Sequence, residues 1–264
     1  RFTSRSQHPR EGDENCEGCS GRALRQRDGR EKRERREKRT DTKRLRIPDE
    51  SRISRKSRMS RGDIMKNLLP GIWQWSWFSE EKQLDFNGLF LTVGEHKILI
   101  DPPPMTGDAK AVILRNGPVD YIIVTNRDHA REAVKYQGEF RCQLQVPEVD
   151  APQMDLTPTK TFKDGELLTG GIWVIQLKDQ KSPGESALFI QQGKGVLIVG
   201  DALIGKPSGS VSLLPAEKYA DAGKAREGLR RLLKYNFDSL LVGDGMSILT
   251  GAKQAVERLL QPSS

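Results

Sequence analysis

The chain has 264 residues, of which 35% are hydrophobic, and it carries a formal net charge of +8 at pH 7. Residues 1–62 hold 21 Lys and Arg against 11 Asp and Glu, which leaves the rest of the chain slightly acidic, with 23 Lys and Arg and 25 Asp and Glu. This division excludes a nucleic-acid-binding surface on the main body, because such a surface needs its own excess of cations. No stretch approaches the roughly 20 apolar residues of a membrane span. Three cysteines make no disulfide framework, so we expect a cytoplasmic protein.

The first 64 residues are predicted to be a disordered basic tail. Residues 31–39 mix charges of both signs and lack aromatic and β-branched side chains, so they cannot bury enough apolar area to offset the entropy of ordering. Nucleic-acid binding by this tail is the least favoured functional alternative. The chain opens on Arg1, whereas Met65 stands at the break in composition, and we therefore expect residues 1–64 to be upstream sequence read in the same frame.

The first half of the body alternates apolar strands with short helices. An alternation of large and polar residues predicts an opening strand at 72–78, and two apolar runs joined by a Gly-Glu-His turn predict a hairpin. A near-continuous apolar run is typical of a strand covered on both faces. The predicted strands are residues 72–78, 88–93, 97–100 and 119–125, and the predicted helices are residues 107–116 and 130–136.

The second half repeats the order of strands followed by helix. A long helix is predicted over residues 216–235, because Ala225, Leu229, Leu232 and Leu233 recur at spacings of three and four. Strands are predicted at residues 142–146, 172–177, 186–191, 195–199 and 239–242, and a closing helix at residues 251–260. Two successive units of strands and helix predict an α/β (α+β) fold, a four-layer αββα sandwich formed by one domain from residue 65 to residue 264.

Four loops at predicted strand ends carry polar residues in a recurrent pattern. A fifth signature is the hairpin that ends at Asp101 before three prolines. The loops read Asn-Arg-Asp-His-Ala-Arg at 126–131, Lys-Ser-Pro-Gly-Glu-Ser at 181–186, Val-Gly-Asp-Ala-Leu at 199–203 and Val-Gly-Asp-Gly at 242–245. Over residues 72–260 this arrangement resembles the metallo-β-lactamase-fold superfamily. The resemblance implies a hydrolase scaffold in which these loops surround metal ions and Asp101 braces the first loop.

The ligand set departs from that family. The two-metal centre that the resemblance implies needs about five imidazoles, whereas the chain has three histidines, His8, His96 and His129. Aligned without gaps, only Asp201 keeps the identity expected at a ligand position. The positions become Asn126, Asp128, Ala130, Arg131, Lys181, Asp201 and Asp244. A two-residue deletion would instead place Asp128 and His129 on the family's Asp-His pair, and both alignments stay open.

The candidate site therefore combines acids and bases. Asp128, His129 and Asp201 are the candidate catalytic residues, and the same three are the metal ligands if a metal binds. The expected lining of the pocket is Asn126, Arg131, Lys181 and Asp244. Our preferred hypothesis is that ion pairs among these acids and bases replace the metals, because unpaired buried carboxylates are costly. One divalent Zn, Mn or Fe ion and metal-free catalysis are the alternatives, and a two-zinc centre is disfavoured. Asp128 has a second possible role as the cap of the next helix.

Three functions follow from these observations. The first is a metallo-β-lactamase-like protein with most metal ligands replaced, weakly active or inactive as a zinc hydrolase. The second is a mononuclear metal-dependent hydrolase of a thioester, lactone or phosphoester, which the resemblance would allow. The third is a non-catalytic binding or scaffold protein. A small molecule is the expected partner, and no predicted helix carries an exposed apolar stripe that would indicate a dimer surface.

Overall fold

The computed structural model describes residues 64–261, which form two β-sheets and four α-helices. The predictions for residues 1–63, namely a disordered basic tail and a nucleic-acid-binding arm, lie outside the described residues. The last three residues of the chain lie outside them as well. None of the helices within residues 64–261 is long and apolar enough to cross a membrane.

The first sheet has seven strands whose order across the sheet equals their order along the chain. They are β1 (Lys66–Leu69), β2 (Ile72–Ser79), β3 (Leu84–Val93), β4 (His96–Ile100), β5 (Tyr121–Ile123), β6 (Gln143–Pro147) and β7 (Lys160–Phe162). Strands β1 to β4 pair antiparallel, and β4 to β7 pair parallel. Parallel neighbours need crossover connections, and helices α1 (Gly107–Arg115) and α2 (Ala133–Phe140) provide the first two of these.

The second sheet has five strands in the order β12-β11-β10-β9-β8. They are β8 (Leu167–Leu168), β9 (Ile172–Gln176), β10 (Ser186–Ile190), β11 (Val196–Val199) and β12 (Ser239–Val242). Only β11 and β12 of this sheet pair parallel. Their crossover contains helix α3 (Ala222–Gly228), and helix α4 (Ala252–Leu260) follows β12.

Three buried clusters separate the layers. Ile98 and Ile100 of β4 pack against Ile198 of β11 between the two sheets. Leu99, whose side chain points to the opposite face, packs with Ile113 of α1 in a second cluster. A third cluster joins the second sheet to the segments around α3 and α4. Each sheet is thus apolar on both faces, and the predicted four-layer αββα sandwich is confirmed.

The predicted helix over residues 216–235 is wrong as a single element. Asp221 has an extended backbone, and its side chain accepts a hydrogen bond from the Lys224 amide at 3.0 Å, so a new helix begins there. The segment divides into Ala216–Lys218, Ala222–Gly228 and Leu229–Lys234, the first and last of which are 3-10 helices. Three predicted inward residues are nevertheless fully buried, namely Ala225, Leu229 and Leu232.

The helix predicted at residues 130–136 begins later than expected. A single 3-10 turn at Arg127–His129 precedes it, and α2 starts only at Ala133. Arg131 interrupts the helical backbone, because its φ of 40° lies in the left-handed region. The short strands β1, β7 and β8 were not predicted, since two to four residues are too few to show an alternation.

Candidate active-site cavity

Polar residues gather where five strands end or begin. Asp101 follows β4, Asn126 starts the loop after β5, Lys181 lies between β9 and β10, Asp201 follows β11, and Asp244 follows β12. The carboxyl ends of parallel strands lie at one edge of a sheet, where open α/β sheets bind ligands. The fold thereby brings all seven predicted site residues to one edge of the two sheets.

Asp101 braces the loop after β5, as expected. Its carboxylate accepts hydrogen bonds from the backbone N–H of Thr125 at 2.8 Å and from the Thr125 hydroxyl at 2.5 Å. The same carboxylate lies 2.8 Å from His129 Nδ1. Asp101 also has a left-handed φ of 45°, a conformation that costs a non-glycine residue free energy and is frequent at functional sites. Its three contacts hold the loop and orient the imidazole.

His129 is buried between two carboxylates. Its Nε2 lies 3.4 Å from Asp201 Oδ1, on the side opposite Asp101. Burial and the nearby Arg131 guanidinium favour the neutral ring, but the carboxylates of Asp101 and Asp201 outweigh them and raise the pKa of His129 to about 10. A methyl group on Gly243 would stand 2.4 Å from the ring, so glycine at that position lets the imidazole lie against the backbone.

Arg131 fills the space beside this imidazole. Its Nη2 donates to Asp244 Oδ1 at 2.6 Å and lies 3.3 Å from His129 Nε2. Its Nη1 donates to the backbone carbonyls of Asn87 at 2.8 Å and Asp101 at 3.1 Å. The guanidinium also lies 4.8 Å from the centre of the Phe86 ring, within cation–π range. Five donors in a planar fork explain why arginine rather than lysine suits this position.

Lys181 bridges the other two acids. Its Nζ lies 2.7 Å from Asp201 Oδ2 and 3.1 Å from Asp128 Oδ2. Burial opposes the charged ammonium, but the two carboxylates outweigh it and raise the pKa of Lys181. Burial likewise opposes the Asp201 anion, but its contacts with His129 and Lys181 outweigh burial and lower the pKa of Asp201. Asp201 is therefore a carboxylate held between two cations.

Two buried polar side chains, Asn126 and Glu185, lie beneath the residues that face the cavity. Asn126 is fully buried, and its Oδ1 accepts from the amides of Asp128 and His129, so Asn126 rather than Asp128 caps the turn. Asn126 was predicted to line the pocket, but it lies beneath the lining. Glu185 is also fully buried, and burial together with the nearby Asp201 raises the pKa of Glu185 well above its usual value. The Glu185 carboxyl accepts from the Ala202 amide at 3.1 Å.

A cavity of about 680 Å³ opens above these residues. The other six predicted site residues line it: Asp128, His129, Arg131, Lys181, Asp201 and Asp244. We call these six the ionic floor. The volume falls within the roughly 300–1,000 Å³ of small-molecule sites. Apolar walls and three further lysines complete the lining.

Three residues of the ionic floor have the chemistry of metal ligands. One potential donor atom each from His129, Asp201 and Asp244 lies within 4.8 Å of the others. Asp128 was predicted as a ligand together with His129 and Asp201, but Asp244 takes its place in this cluster. One imidazole and two carboxylates suit a single divalent ion in number and kind. The same donors already contact Arg131 and Lys181, however, so the set fits a metal only if those cations move away.

Comparison with models of known protein families identifies the superfamily of this chain. The model of the metallo-beta-lactamase superfamily matches residues 65–262. The chain belongs to this superfamily. The resemblance of the strand-end loops predicted this membership. A search of the curated proteins found no match.

Solved structures show that the superfamily fold is shared at low identity. The DIM-1 metallo-beta-lactamase has a TM-score of 0.62 at 14% identity, covering 76% of this chain and 98% of the other. A metallo-beta-lactamase from Pontibacter korlensis has a TM-score of 0.60 at 16% identity, covering 76% and 99%. FIM-1 from Pseudomonas aeruginosa, solved in its mono-zinc form, has a TM-score of 0.56 at 16% identity, covering 75% and 96%. Identities this low show the fold alone.

Several residues of the cavity carry no signal in the sequence. Phe86 lies within β3, and its contact with Arg131 joins residues far apart in sequence. Lys206 and Lys218 lie in the segment between β11 and α3, beyond the motif at residues 199–203. Residues 204–218 show no regular spacing of lysine or apolar residues that would indicate a binding surface. The burial of Glu185 is not evident from the sequence, because its carboxyl lies close to Gly200 in a different loop.

Proposed function

We propose that this protein is a metallo-β-lactamase-fold member that binds a small molecule without acting as a zinc hydrolase. One observation carries the proposal: the Arg131 guanidinium and the Lys181 ammonium pair with Asp244 and Asp201, the two carboxylates of the cluster that could hold a metal. In this view the two cations serve as fixed counter-charges in place of metal ions. The cavity remains as a binding site after hydrolytic chemistry is lost.

Electrostatics support this assignment. A divalent ion about 4 Å from a fixed unit charge is repelled by about 8 kcal/mol at an effective dielectric constant near 20. The Arg131 side chain cannot easily move aside for a metal ion, because it is only 8% exposed and its Nη1 is bound to two backbone carbonyls. Lys181, at 30% exposure, is freer to move. Metal binding would therefore have to break buried hydrogen bonds as well as ion pairs.

A mononuclear metal-dependent hydrolase is the second candidate. The cluster of His129, Asp201 and Asp244 favours it, with Asp101 as the outer partner that would orient the imidazole. A divalent ion held there would polarise a carbonyl or phosphoryl oxygen and activate water. Thioesters, lactones and phosphoesters are the corresponding substrate classes.

Metal content separates the two candidates. The full chain would be purified without chelator, equilibrated in turn with zinc, manganese and ferrous ions, and analysed for bound metal. We expect well below one ion per chain in the wild type. An Arg131→Met, Lys181→Met double variant should gain metal affinity, whereas Lys194→Met, at a side chain that is 85% exposed, should match the wild type. One tightly bound ion in the wild type, lost in Asp201→Ala, would refute the proposal and favour the hydrolase candidate instead.

A further inference from the structure

The walls of the cavity differ in character from its ionic floor. They contain three lysines that contribute nothing to the floor, Lys82, Lys206 and Lys218. The rest of the wall is mostly apolar and comes from two segments, β3 and the chain between β11 and α3. These apolar residues are Leu84, Phe86, Ile204, Leu213, Leu214 and Pro215.

The lysines of the wall leave the cavity with a positive excess. Five lysine and arginine side chains line the cavity against three aspartates. Arg131 and Lys181 are occupied by floor carboxylates, and Lys82 pairs with Glu81 at 2.5 Å on the surface. Within residues 64–261, the side chains of Lys206 and Lys218 form neither an ion pair nor a hydrogen bond. Two uncompensated cations thus stand beside an apolar wall.

The first part of this wall segment, residues 204–212 with Lys206, is held in place by backbone hydrogen bonds. Ile204 and Ser212 exchange two such bonds, at 2.8 and 2.9 Å. Gly205 donates to the Asp244 carbonyl at 2.9 Å and accepts from the Met246 amide at 2.8 Å. These contacts tie the wall to the turn that supplies part of the floor. The wall is therefore a pre-formed surface, which reduces the entropic cost of binding.

We propose that the cavity binds an organic anion with an apolar body, such as a medium-chain carboxylate or phosphate monoester. Lys206 and Lys218 bind the anionic headgroup, and the chain lies along Phe86, Leu213 and their apolar neighbours. This inference rests on the proposed function, since it needs a floor that is closed by ion pairs rather than by metal. Coulomb attraction selects the headgroup, and burial of each CH₂ group against the apolar wall favours the chain.

The test is isothermal titration calorimetry of the full chain with four probes: octanoate and octyl phosphate, which have both chain and charge, 1-octanol, which has only the chain, and inorganic phosphate, which has only the charge. We expect octanoate and octyl phosphate to bind at least tenfold more tightly than 1-octanol and than inorganic phosphate. In a Lys206→Met, Lys218→Met double variant, binding of the anions should weaken at least tenfold, with 1-octanol unchanged. Lys194→Met serves as the matched control and should leave all four affinities unaltered.

Three results would overturn the inference. Equal binding of octanoate and 1-octanol would mean that charge plays no part, and equal binding of both phosphates would mean that the apolar wall plays none. Unchanged anion binding in the double variant would place the headgroup elsewhere, and a Lys206→Gln, Lys218→Gln pair would check that result if the first variant unfolds.

Repeating the titrations after chelation separates the two proposals. Anion binding that disappears with the metal refutes the proposed function, whereas a metal-free protein that binds no anion refutes only this inference.

Discussion

Replacing Arg131 by methionine should destabilise the protein far more than an ordinary surface substitution would. The change keeps an unbranched side chain but removes the guanidinium that pairs with Asp244, whose side chain is only 10% exposed. It also leaves the backbone carbonyls of Asn87 and Asp101 without the guanidinium. Breaking a buried ion pair from one side costs about 3–5 kcal/mol, and we expect a loss in that range at pH 7.

The loss should shrink at lower pH. Burial already raises the pKa of Asp244, although His129 and Arg131 oppose the rise. Without Arg131 the carboxyl takes up a proton more readily as the pH falls, and so avoids being a buried, unpaired anion. Urea unfolding followed by tryptophan fluorescence at pH 5 and pH 7 measures both free energies.

A double-mutant cycle with Asp244→Asn isolates the pair. In the Arg131→Met background, Asp244→Asn should recover about 2 kcal/mol, because the charge that lost its partner is gone. Arg230→Met is the matched control, since Arg230 also combines an ion pair with a bond to a carbonyl but is 46% exposed. That control should cost about 1 kcal/mol or less. Equal costs for Arg131→Met and Arg230→Met, or strict additivity in the cycle, would refute the reasoning.

Three further predictions concern protonation and packing. The stability from protonated His129 is complete below its usual pKa of 6.5 and is lost as the pH rises toward about 10; the unfolding free energy should fall over that interval, and His129→Gln should flatten the fall. Glu185→Gln should raise the unfolding free energy at pH 7, because burial favours the neutral group there while the unfolded carboxyl ionises; a loss of stability in urea titrations would contradict this. Gly88→Ala should cost about 1–3 kcal/mol, because the added methyl would stand 2.3 Å from the Trp75 ring; an unchanged melting temperature would show that the packing relaxes freely.

The layers of the fold were predictable because local patterns determine them. Residues 119–125 read as a covered strand, and β5 with its flanks is buried on both faces, with Ile122 and Ile123 in different clusters. The helix at 216–235 was predicted wrongly because its spacing of apolar residues continues across Asp221. A side chain that caps a helix can restart it without disturbing that spacing.

The composition of the site was predictable, but its pairings were not. The sequence placed Arg131 and Lys181 beside the acids, yet which acid each base contacts depends on distances between loops of different sheets. The two alignments stayed open for the same reason, and the structure places both His129 and Arg131 in the cavity. The contact between Asp101 and His129 depends on a left-handed backbone at Asp101, which no local pattern announces.

Three of the four ion pairs within the ionic floor join a loop of the first sheet to a loop of the second, and only Lys181–Asp201 lies within the second sheet. Arg131 reaches Asp244 across this divide, and Lys181 reaches Asp128 in the opposite direction. Exchanging either base for a metal ligand would also cut a cross-brace between the two halves of the sandwich. A single substitution that supplied a metal ligand at either base would therefore also lower the stability of the sandwich, so pocket and scaffold are constrained to change together.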